Sequence, residues 1–378
     1  LKSVPASEAI DLFWMRRALA EAERGRGAVE PNPMVGAVVV RDGQAVGVGH
    51  HARFGGPHAE IVALQAAAEA ARTATLYVTL EPCCHQGKTP PCTEAILRAG
   101  IRRVVASHRD PFPRVAGGGF EQLVREGIEV ACGVAEQEAR LLNGPYLKRV
   151  MTGRPFVTAK WAMTLDGKMA CASGESRWIS GSRSRAMVQE LRGRMDAIIV
   201  GIGTALADDP ALTARPPGRR IPQRVVLDGS ARLPLTSQLV RTAQDIPVLV
   251  AVTDRAPPAR RAALEAAGCE IVGFSTSHTV PIDLLLELLG QRQATNLLVE
   301  GGGRVLGAFW DADQIDAVEV YIAPILEGGP PRHIPIQGRG VAHMAEALRL
   351  RDLDIQVIDG DVRLRGLVPR FWQVPESA

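Results

Sequence analysis

Apolar side chains in SEAIDLFWMRRALAEAER (7–24) recur at helical spacing, and Gly25 supplies a stop. MVGAVVVRDGQAVGVGHH (34–51) changes the period: two β-rich runs joined across Asp42-Gly43 predict a hairpin. Pro57 opens a predicted helix, HAEIVALQAAAEAAR (58–72), and the strand ATLYVTL (74–80) leads into a cysteine-rich stretch. Helix TEAILRAG (93–100), strand RRVVAS (102–107), helix GGFEQLVREG (118–127), strand IEVACG (128–133) and helix AEQEARLLNGPYLKRV (135–150) follow. Strands alternating with helices predict a layered α/β sheet.

MTGRPF (151–156) is a joint punctuated by Gly and Pro. Beyond it VTAKWAMTLDG (157–167), DAIIVGIG (196–203), QRVVLDG (223–229), PVLVAVT (247–253) and NLLVEGGG (296–303) are buried-strand candidates separated by helices. VEVYIAPIL (318–326) and DVRLRGLV (361–368) are expected as late antiparallel strands. No internal repeat or low-complexity tract interrupts the pattern. Two α/β domains are therefore expected, 1–150 and 151–378.

Composition narrows the possible functions. With 46% hydrophobic and 22% charged residues, the 378-residue chain has an ordinary globular balance. The net charge is only +3, and the first 150 residues carry 18 basic and 16 acidic side chains against 26 and 25 in the remainder. Neither half has a basic excess for a polyanion, so nucleic acid is not an expected partner. No run of 18 uncharged apolar residues exists, so no membrane span is expected. The first residues, LKSVPASEAIDLFW, show no basic stretch followed by an apolar run, so no secretory leader is expected. Three of the six cysteines, Cys83, Cys84 and Cys92, fall within ten residues, which in a reducing compartment points to metal binding. A cytoplasmic, homo-oligomeric protein is the expectation.

His58-Ala59-Glu60 lies at the first turn of a predicted helix, Pro82-Cys83 ends a strand and Cys92 begins the next helix. One His and two Cys supply three ligands for a Zn²⁺ that prefers four, leaving a place for water. His-x-Glu followed by Pro-Cys is the signature of zinc deaminases that attack amidine-like carbons of nucleobases, with the glutamate as proton shuttle. The usual second spacing is P-C-x-x-C, whereas eight residues separate Cys83 from Cys92 here. A closed structural zinc using Cys84 as fourth ligand is the alternative. Adjacent residues entering a helix point about 100° apart, however, and such a site would give Glu60 no task.

EPCCHQGKTPPC (81–92), together with PNPMVG (31–36) and PHAE (57–60), resembles the deaminase half of the bifunctional riboflavin-biosynthesis deaminase/reductases. The resemblance implies a cytidine-deaminase-like three-layer domain with one Zn²⁺ on His58, Cys83 and Cys92 and with Glu60 catalytic. It also places Asn32, His51, His85, Lys88 and Thr89 at the pyrimidine pocket.

Val299-Glu300-Gly301-Gly302-Gly303 ends a strand and opens a helix, a place where backbone N–H groups can meet a phosphate. It is not G-x-G-x-x-G, and a tight strand–helix turn explains it equally well. KWAMTLDGKMA (160–170), SGESRWIS (173–180) and GIGTALADDPALTAR (201–215) resemble the reductase half of the same family, implying a dihydrofolate-reductase-like α/β domain that uses NADPH. Carried over, Ser176, Arg192, Leu212, Arg215 and Glu300 fall on substrate positions, and Arg192 with Arg215 is expected to clamp the substrate's phosphate in fork geometry. Ala162, Trp178, Thr204, Asp208 and the run Gly302, Gly303, Arg304, Val305, Leu306, Gly307, Ala308 fall on dinucleotide positions. One departure is visible: the loop after QRVVLD, which usually offers Ser or Thr to the cofactor, has Gly229 with Ser230 beside it.

The implied activity is deamination of 2,5-diamino-6-ribosylamino-4(3H)-pyrimidinone 5′-phosphate followed by NADPH-dependent reduction of ribosyl to ribityl. Two rivals make different demands: a nucleic-acid base deaminase calls for a basic face, and a zinc-stapled nucleotide-binding module calls for a fourth protein ligand.

Overall fold

The computed structural model describes residues 6–86, 90–113, 115–330 and 333–369, and the chain divides into two compact units, Leu1–Gly153 and Arg154–Ala378.

The first unit runs α1 (Ala6–Glu23), β1 (Gly36–Arg41), β2 (Gln44–His50), α2 (Ala59–Ala67), β3 (Thr75–Val78), α3 (Cys92–Arg98), β4 (Arg103–Ala106), α4 (Gly118–Arg125), β5 (Glu129–Cys132), α5 (Glu136–Leu142) and α6 (Gly144–Thr152). Its sheet has the order β2-β1-β3-β4-β5, antiparallel across β2-β1-β3 and parallel across β3-β4-β5. Alternation along the strands divides the buried side chains between two faces. Val39, Leu76, Val78 and Val104 pack with α2, α3 and α4, while Val38, Tyr77 and Val105 pack with Met15 and Ala18 of α1. This is the expected three-layer arrangement.

Close approach of α2 to β2 sets the first unit's chemistry. A Cβ at Gly49 would lie 2.5 Å from the Ala59 carbonyl oxygen, and one at Gly47 would lie 2.2 Å from that of Ala63. Glycine at both positions lets the helix lie directly on the strand, which fixes the N-terminal turn carrying His58 and Glu60. The helix expected over 135–150 is two helices. Pro145 has no N–H and fits only the first turn of a new helix. Asn143 fills the break: it accepts a hydrogen bond from Met34 N (2.8 Å) and donates one to Met34 O (2.9 Å).

The second unit runs β6 (Phe156–Thr164), α7 (Ser182–Arg192), β7 (Ala197–Gly201), α8 (Ile202–Asp208), β8 (Gln223–Leu227), α9 (Gln238–Arg241), β9 (Val248–Thr253), α10 (Pro258–Ala266), β10 (Glu270–Phe274), α11 (Ile282–Gln291), β11 (Asn296–Val299), α12 (Gly303–Asp311), β12 (Ala317–Ala323), β13 (Arg351–Ile358) and β14 (Asp361–Leu367). The sheet order is β10-β9-β8-β7-β11-β6-β12-β14-β13. Seven neighbouring strands are parallel, from β10 to β12, and their near-continuous apolar runs reflect helices on both faces.

VEVYIAPIL was expected as an antiparallel strand. The strand there, β12, is antiparallel to β14 but parallel to β6, because α12 carries the chain back across the sheet. β10 and β13 lack the buried-run signature: β10 is a half-exposed edge containing Gly273, and in β13 Leu353, Ile355 and Val357 are all exposed. Among the described residues no helix is long and apolar enough to cross a membrane.

Two candidate active sites

In the first unit three donor atoms converge from three elements. His58 is the residue before α2, with extended backbone, Cys83 lies in the loop after β3, and Cys92 is the first residue of α3. His58 Nδ1 lies 3.5 Å from Cys83 Sγ and 3.3 Å from Cys92 Sγ, and all three donors lie within 4.8 Å of one another. Cys92 N donates to Cys83 Sγ at 3.4 Å, so the turn opening α3 tethers one ligand to the other. One imidazole nitrogen and two sulfurs suit Zn²⁺. The electrostatics fit a cation as well. The hydrogen bond to Cys92 leads in drawing the Cys83 thiol down to about 4, and its bond to Cys83 raises His58 to about 8. Cys92, beside that thiolate and buried, is pushed up, a penalty that a divalent ion would reverse.

Glu60 is 4% exposed, and its carboxyl is bonded to the Cys92 thiol. Burial, reinforced by the nearby Cys83 charge, raises it to about 6. Asn32 and His51 form a second layer. His51 Nδ1 sits 2.9 Å from the Pro57 carbonyl, so it carries the proton and donates there, leaving Nε2 to accept from Asn32 Nδ2 at 3.1 Å. Burial lowers the His51 pKa, which keeps the ring neutral, and it meets His58 edge-on with centroids 5.6 Å apart. His85 packs near Phe112, and its buried Nδ1 has no hydrogen-bond partner among the described residues. Cys84 Sγ lies 3.1 Å from the place a Cβ would occupy on Gly118, outside the three-donor cluster. Lys88 and Thr89 lie outside the described residues.

The sequence reading passed over Glu81, whose buried carboxylate accepts four backbone N–H groups: Asp110 (3.1 Å), Gly117 (3.0 Å), Gly119 (3.0 Å) and Phe120 (3.2 Å). It ties the segment carrying Cys83 to the start of α4. An acidic residue directly before Pro82-Cys83 was the only available signal, and its partners are about 30 or more residues away in sequence.

In the second unit the carboxyl ends of β7, β8, β9 and β11 open on a cavity of about 1350 Å³, the usual place for a ligand in a parallel sheet. Of the residues expected there, Ala162, Ser176, Trp178, Arg192, Thr204, Asp208, Leu212, Arg215, Glu300, Gly302, Gly303, Arg304, Val305 and Ala308 line it. Leu306 and Gly307 do not. Leu306 is fully buried in the core, and Gly307 packs on the Gln337 backbone, where a Cβ would meet its carbonyl at 2.0 Å.

The strand–helix turn is a cradle that side chains would fill. A Cβ on Gly301 would reach Val305 at 2.6 Å, and one on Gly303 would reach the Ile334 carbonyl at 2.3 Å. Gly302 N donates to Thr204 Oγ1 at 3.2 Å, joining the opening of α12 to α8. A bare backbone at a helix start beside a large cavity suits a dinucleotide's phosphates.

Arg192 meets Glu300 through two bonds, of 2.6 and 2.9 Å, and Lys160 approaches the same carboxylate at 3.8 Å. Burial would raise Glu300, but the two cations outweigh it and hold its pKa below the ordinary carboxylate value. Burial likewise lowers the Lys160 pKa, against the pull of Glu300. Lys160 is a second residue the sequence reading did not single out. Ser176 Oγ donates to Asp208 at 3.3 Å. Trp178 is 68% exposed, with the Arg185 guanidinium 4.4 Å from its ring centre. Arg215 is exposed, and no carboxylate among the described residues holds its guanidinium.

Comparison with known proteins gives the same division. Residues 9–108 match the cytidine and deoxycytidylate deaminase zinc-binding region, and residues 155–364 match the RibD C-terminal domain. The riboflavin biosynthesis protein RibD of Actinobacillus pleuropneumoniae is 40% identical over 358 residues, covering 94% of each chain. That of Escherichia coli strain K12 is 39% identical over 367 residues, covering 94% of this chain and 98% of the other. Among solved structures, Acinetobacter baumannii RibD superposes with a TM-score of 0.83 at 40% identity, covering 96% and 99%. A Thermotoga maritima diaminohydroxyphosphoribosylaminopyrimidine deaminase/5-amino-6-(5-phosphoribosylamino)uracil reductase does so with 0.82 at 35%, with the same coverage.

Proposed function

The chain belongs to the RibD family of bifunctional riboflavin-biosynthesis deaminase/reductases, and on that premise we propose how its own residues divide the two reactions. It is a zinc-dependent deaminase and an NADPH-dependent reductase acting on a small pyrimidine substrate. The observation that carries the deaminase reading is the convergence of His58 Nδ1, Cys83 Sγ and Cys92 Sγ beside a buried Glu60. Residues 1–150 are the deaminase domain and 151–378 the reductase domain.

His58, Cys83 and Cys92 would hold Zn²⁺, which would supply the acidification of water needed for hydroxide near neutral pH. Glu60, buried beside the three donors, would carry a proton from the attacking water to the departing ammonia as the 2-amino carbon becomes a carbonyl. Asn32, through its amide oxygen, and His85, through its unpartnered nitrogen, face the pyrimidine, and Lys88 with Thr89 holds the ribose phosphate. His51, kept neutral, fixes Asn32 in place. A nucleic-acid deaminase is disfavoured by the balanced charge, and a closed structural zinc by the direction of Cys84.

In the second unit NADPH supplies hydride, and the residues of the cavity bind, orient and shield. Gly302 to Val305 and Ala308, with Ala162, Thr204 and Asp208, hold the dinucleotide, and Trp178 walls the site against water. Arg192, held by Glu300, is a fixed donor to the substrate rather than half of a phosphate fork. Arg215, whose guanidinium no carboxylate among the described residues holds, takes the substrate's 5′-phosphate, with Ser176, Leu212 and Glu300 around the ring and the sugar. We place the enzyme in the cytoplasm as a homo-oligomer. The test is direct: purified protein given the diaminopyrimidine ribosyl phosphate should release ammonia, and NADPH oxidation should follow only after that release. Oxidation without prior deamination, or deamination unaffected by zinc removal, would reject the scheme.

A further inference from the structure

Two guanidinium groups at the β8–β9 end of the large cavity, those of Arg232 and Arg255, have no part in the assignments above. Arg232 follows β8 and Arg255 follows β9, neighbouring parallel strands, and both line the cavity beside Gly229. Arg255 is the nearer to that glycine: one of its guanidinium nitrogens lies 3.3 Å from where a Cβ on Gly229 would stand. A side chain at 229 would crowd Arg255 and Thr253 alike, so the bare backbone leaves the guanidinium lying over the end of β8.

The charge state of this pair differs from that of Arg192. Arg192 is neutralised by two short bonds to Glu300. Arg255 donates to the His278 carbonyl at 2.5 Å, and no carboxylate among the described residues pairs with it. That single neutral acceptor anchors the arm and leaves most of its five N–H donors uncommitted. Arg232 reaches Asp228 only at 3.8 Å. The β8–β9 end of the cavity therefore carries an uncompensated positive charge with fork geometry, which suits a phosphate monoester.

The distance fits one group of the dinucleotide in particular. Its pyrophosphate belongs at the start of α12, which follows β11. In the sheet β11 is followed by β7 and then β8, so two spacings of about 4.8 Å place Gly229 and the overlying Arg255 roughly 10 Å away. An adenylate ribose covers about 6 Å of that from its 5′ oxygen to its 2′ oxygen, and a 2′-phosphate with its hydrogen bond to a guanidinium covers the remainder. We infer that Arg255, supported by Arg232, holds the 2′-phosphate of the dinucleotide and gives this reductase its preference for NADPH over NADH. The inference rests on the reading that this cavity takes NADPH.

Arg255→Gln is the variant to make, because it keeps a donor for the His278 carbonyl and removes only the charge. Calorimetric titration of the full-length protein, without pyrimidine substrate, would compare NADP⁺, NAD⁺ and adenosine 2′,5′-bisphosphate. NADP⁺ and the bisphosphate should weaken roughly ten- to a hundredfold, the scale of one charge-assisted contact, while NAD⁺ changes less than about twofold. Arg232→Gln should show the same selectivity with a smaller shift. Equal weakening of NADP⁺ and NAD⁺ by Arg255→Gln would overturn the inference, and so would unchanged NADP⁺ affinity in a variant of unaltered melting temperature. If the wild-type protein bound neither dinucleotide, the NADPH reading of the cavity would fall, and this inference with it.

Discussion

The two sites of this chain solve recognition in opposite ways. In the first unit three donors and one carboxylate occupy a space a few ångströms across, and each is locked by its element: His58 by the start of α2, Cys92 by the start of α3, Cys83 by the tether from Cys92 N. In the second unit the residues are spread around about 1350 Å³, and the strongest charges in it are spent on one another, as Arg192 and Lys160 are on Glu300. A metal site concentrates its function in a few irreplaceable atoms, whereas a dinucleotide cavity distributes binding over backbone, apolar walls and several weak polar contacts. Substitutions of those donors should therefore be all-or-none, whereas single substitutions around the second unit's cavity should be graded.

The largest effect that tests this contrast is on the metal itself. Cys83→Ser should lose zinc and ammonia release together, while NADPH-dependent reduction of supplied deaminated intermediate continues. Cys84→Ser should retain full metal content, because its sulfur faces Gly118. Metal analysis of the two purified variants decides the matter, and comparable zinc loss in both would break the three-ligand assignment. Next in size is Glu60→Gln, which should keep zinc and lose at least roughly 10²-fold in deamination rate, the usual scale for a positioned proton carrier. Near-normal ammonia release from a zinc-loaded Gln variant would remove Glu60 from the mechanism.

The same contrast explains what could be read from sequence. PHAE and EPCCHQGKTPPC are compact because donors that share an ion must come from the ends of adjacent elements, and such ends leave short, chemically distinctive strings. The parallel strands of the second unit were legible for a related reason: burial on both faces makes continuous apolar runs such as VLVAV. Glu81 and Lys160 were not legible, because each acts through partners far along the chain and has no local pattern. β13 was missed although Leu353, Ile355 and Val357 alternate with polar residues, since a two-residue period without burial carries little weight. The phosphate fork expected from Arg192 and Arg215 could not be judged from sequence either. Nothing local announces that a glutamate 108 positions later holds one of its arms.

Within the second unit, Arg215→Ala should be graded in the way a distributed site requires. Loss of one charge-assisted bond, about 1.5–3 kcal/mol, raises KM for the phosphorylated substrate roughly ten- to a hundredfold and leaves kcat and NADPH binding near normal. A dephosphorylated analogue should show little difference between wild type and variant. If the variant weakens NADPH instead, Arg215 serves the other ligand.

The smallest expected effect returns to the first unit and asks whether its compactness depends on support as well as on ligands. Each Glu81 carboxylate oxygen accepts two backbone N–H groups, those of Asp110 and Gly117 on one and those of Gly119 and Phe120 on the other. Glutamine keeps one acceptor and turns an NH₂ group toward the remaining pair, so two buried donors lose their partner. The expected cost of Glu81→Gln is about 1–3 kcal/mol. It should fall locally, because a Cβ on Gly119 would stand only 2.1 Å from the Pro82 carbonyl, which shows how tightly the start of α4 sits on the segment leading to Cys83. Amide exchange at 117–120 and at 83–86 should therefore quicken, while the strands of the second unit keep their protection. Zinc should still bind, since no ligand has changed, but with reduced affinity and a lower deamination rate. Uniform loss of protection in both units would mean that the substitution destabilises the chain generally. Unchanged exchange at 117–120 would mean that those N–H groups find other acceptors, and that the ligands alone hold the loop.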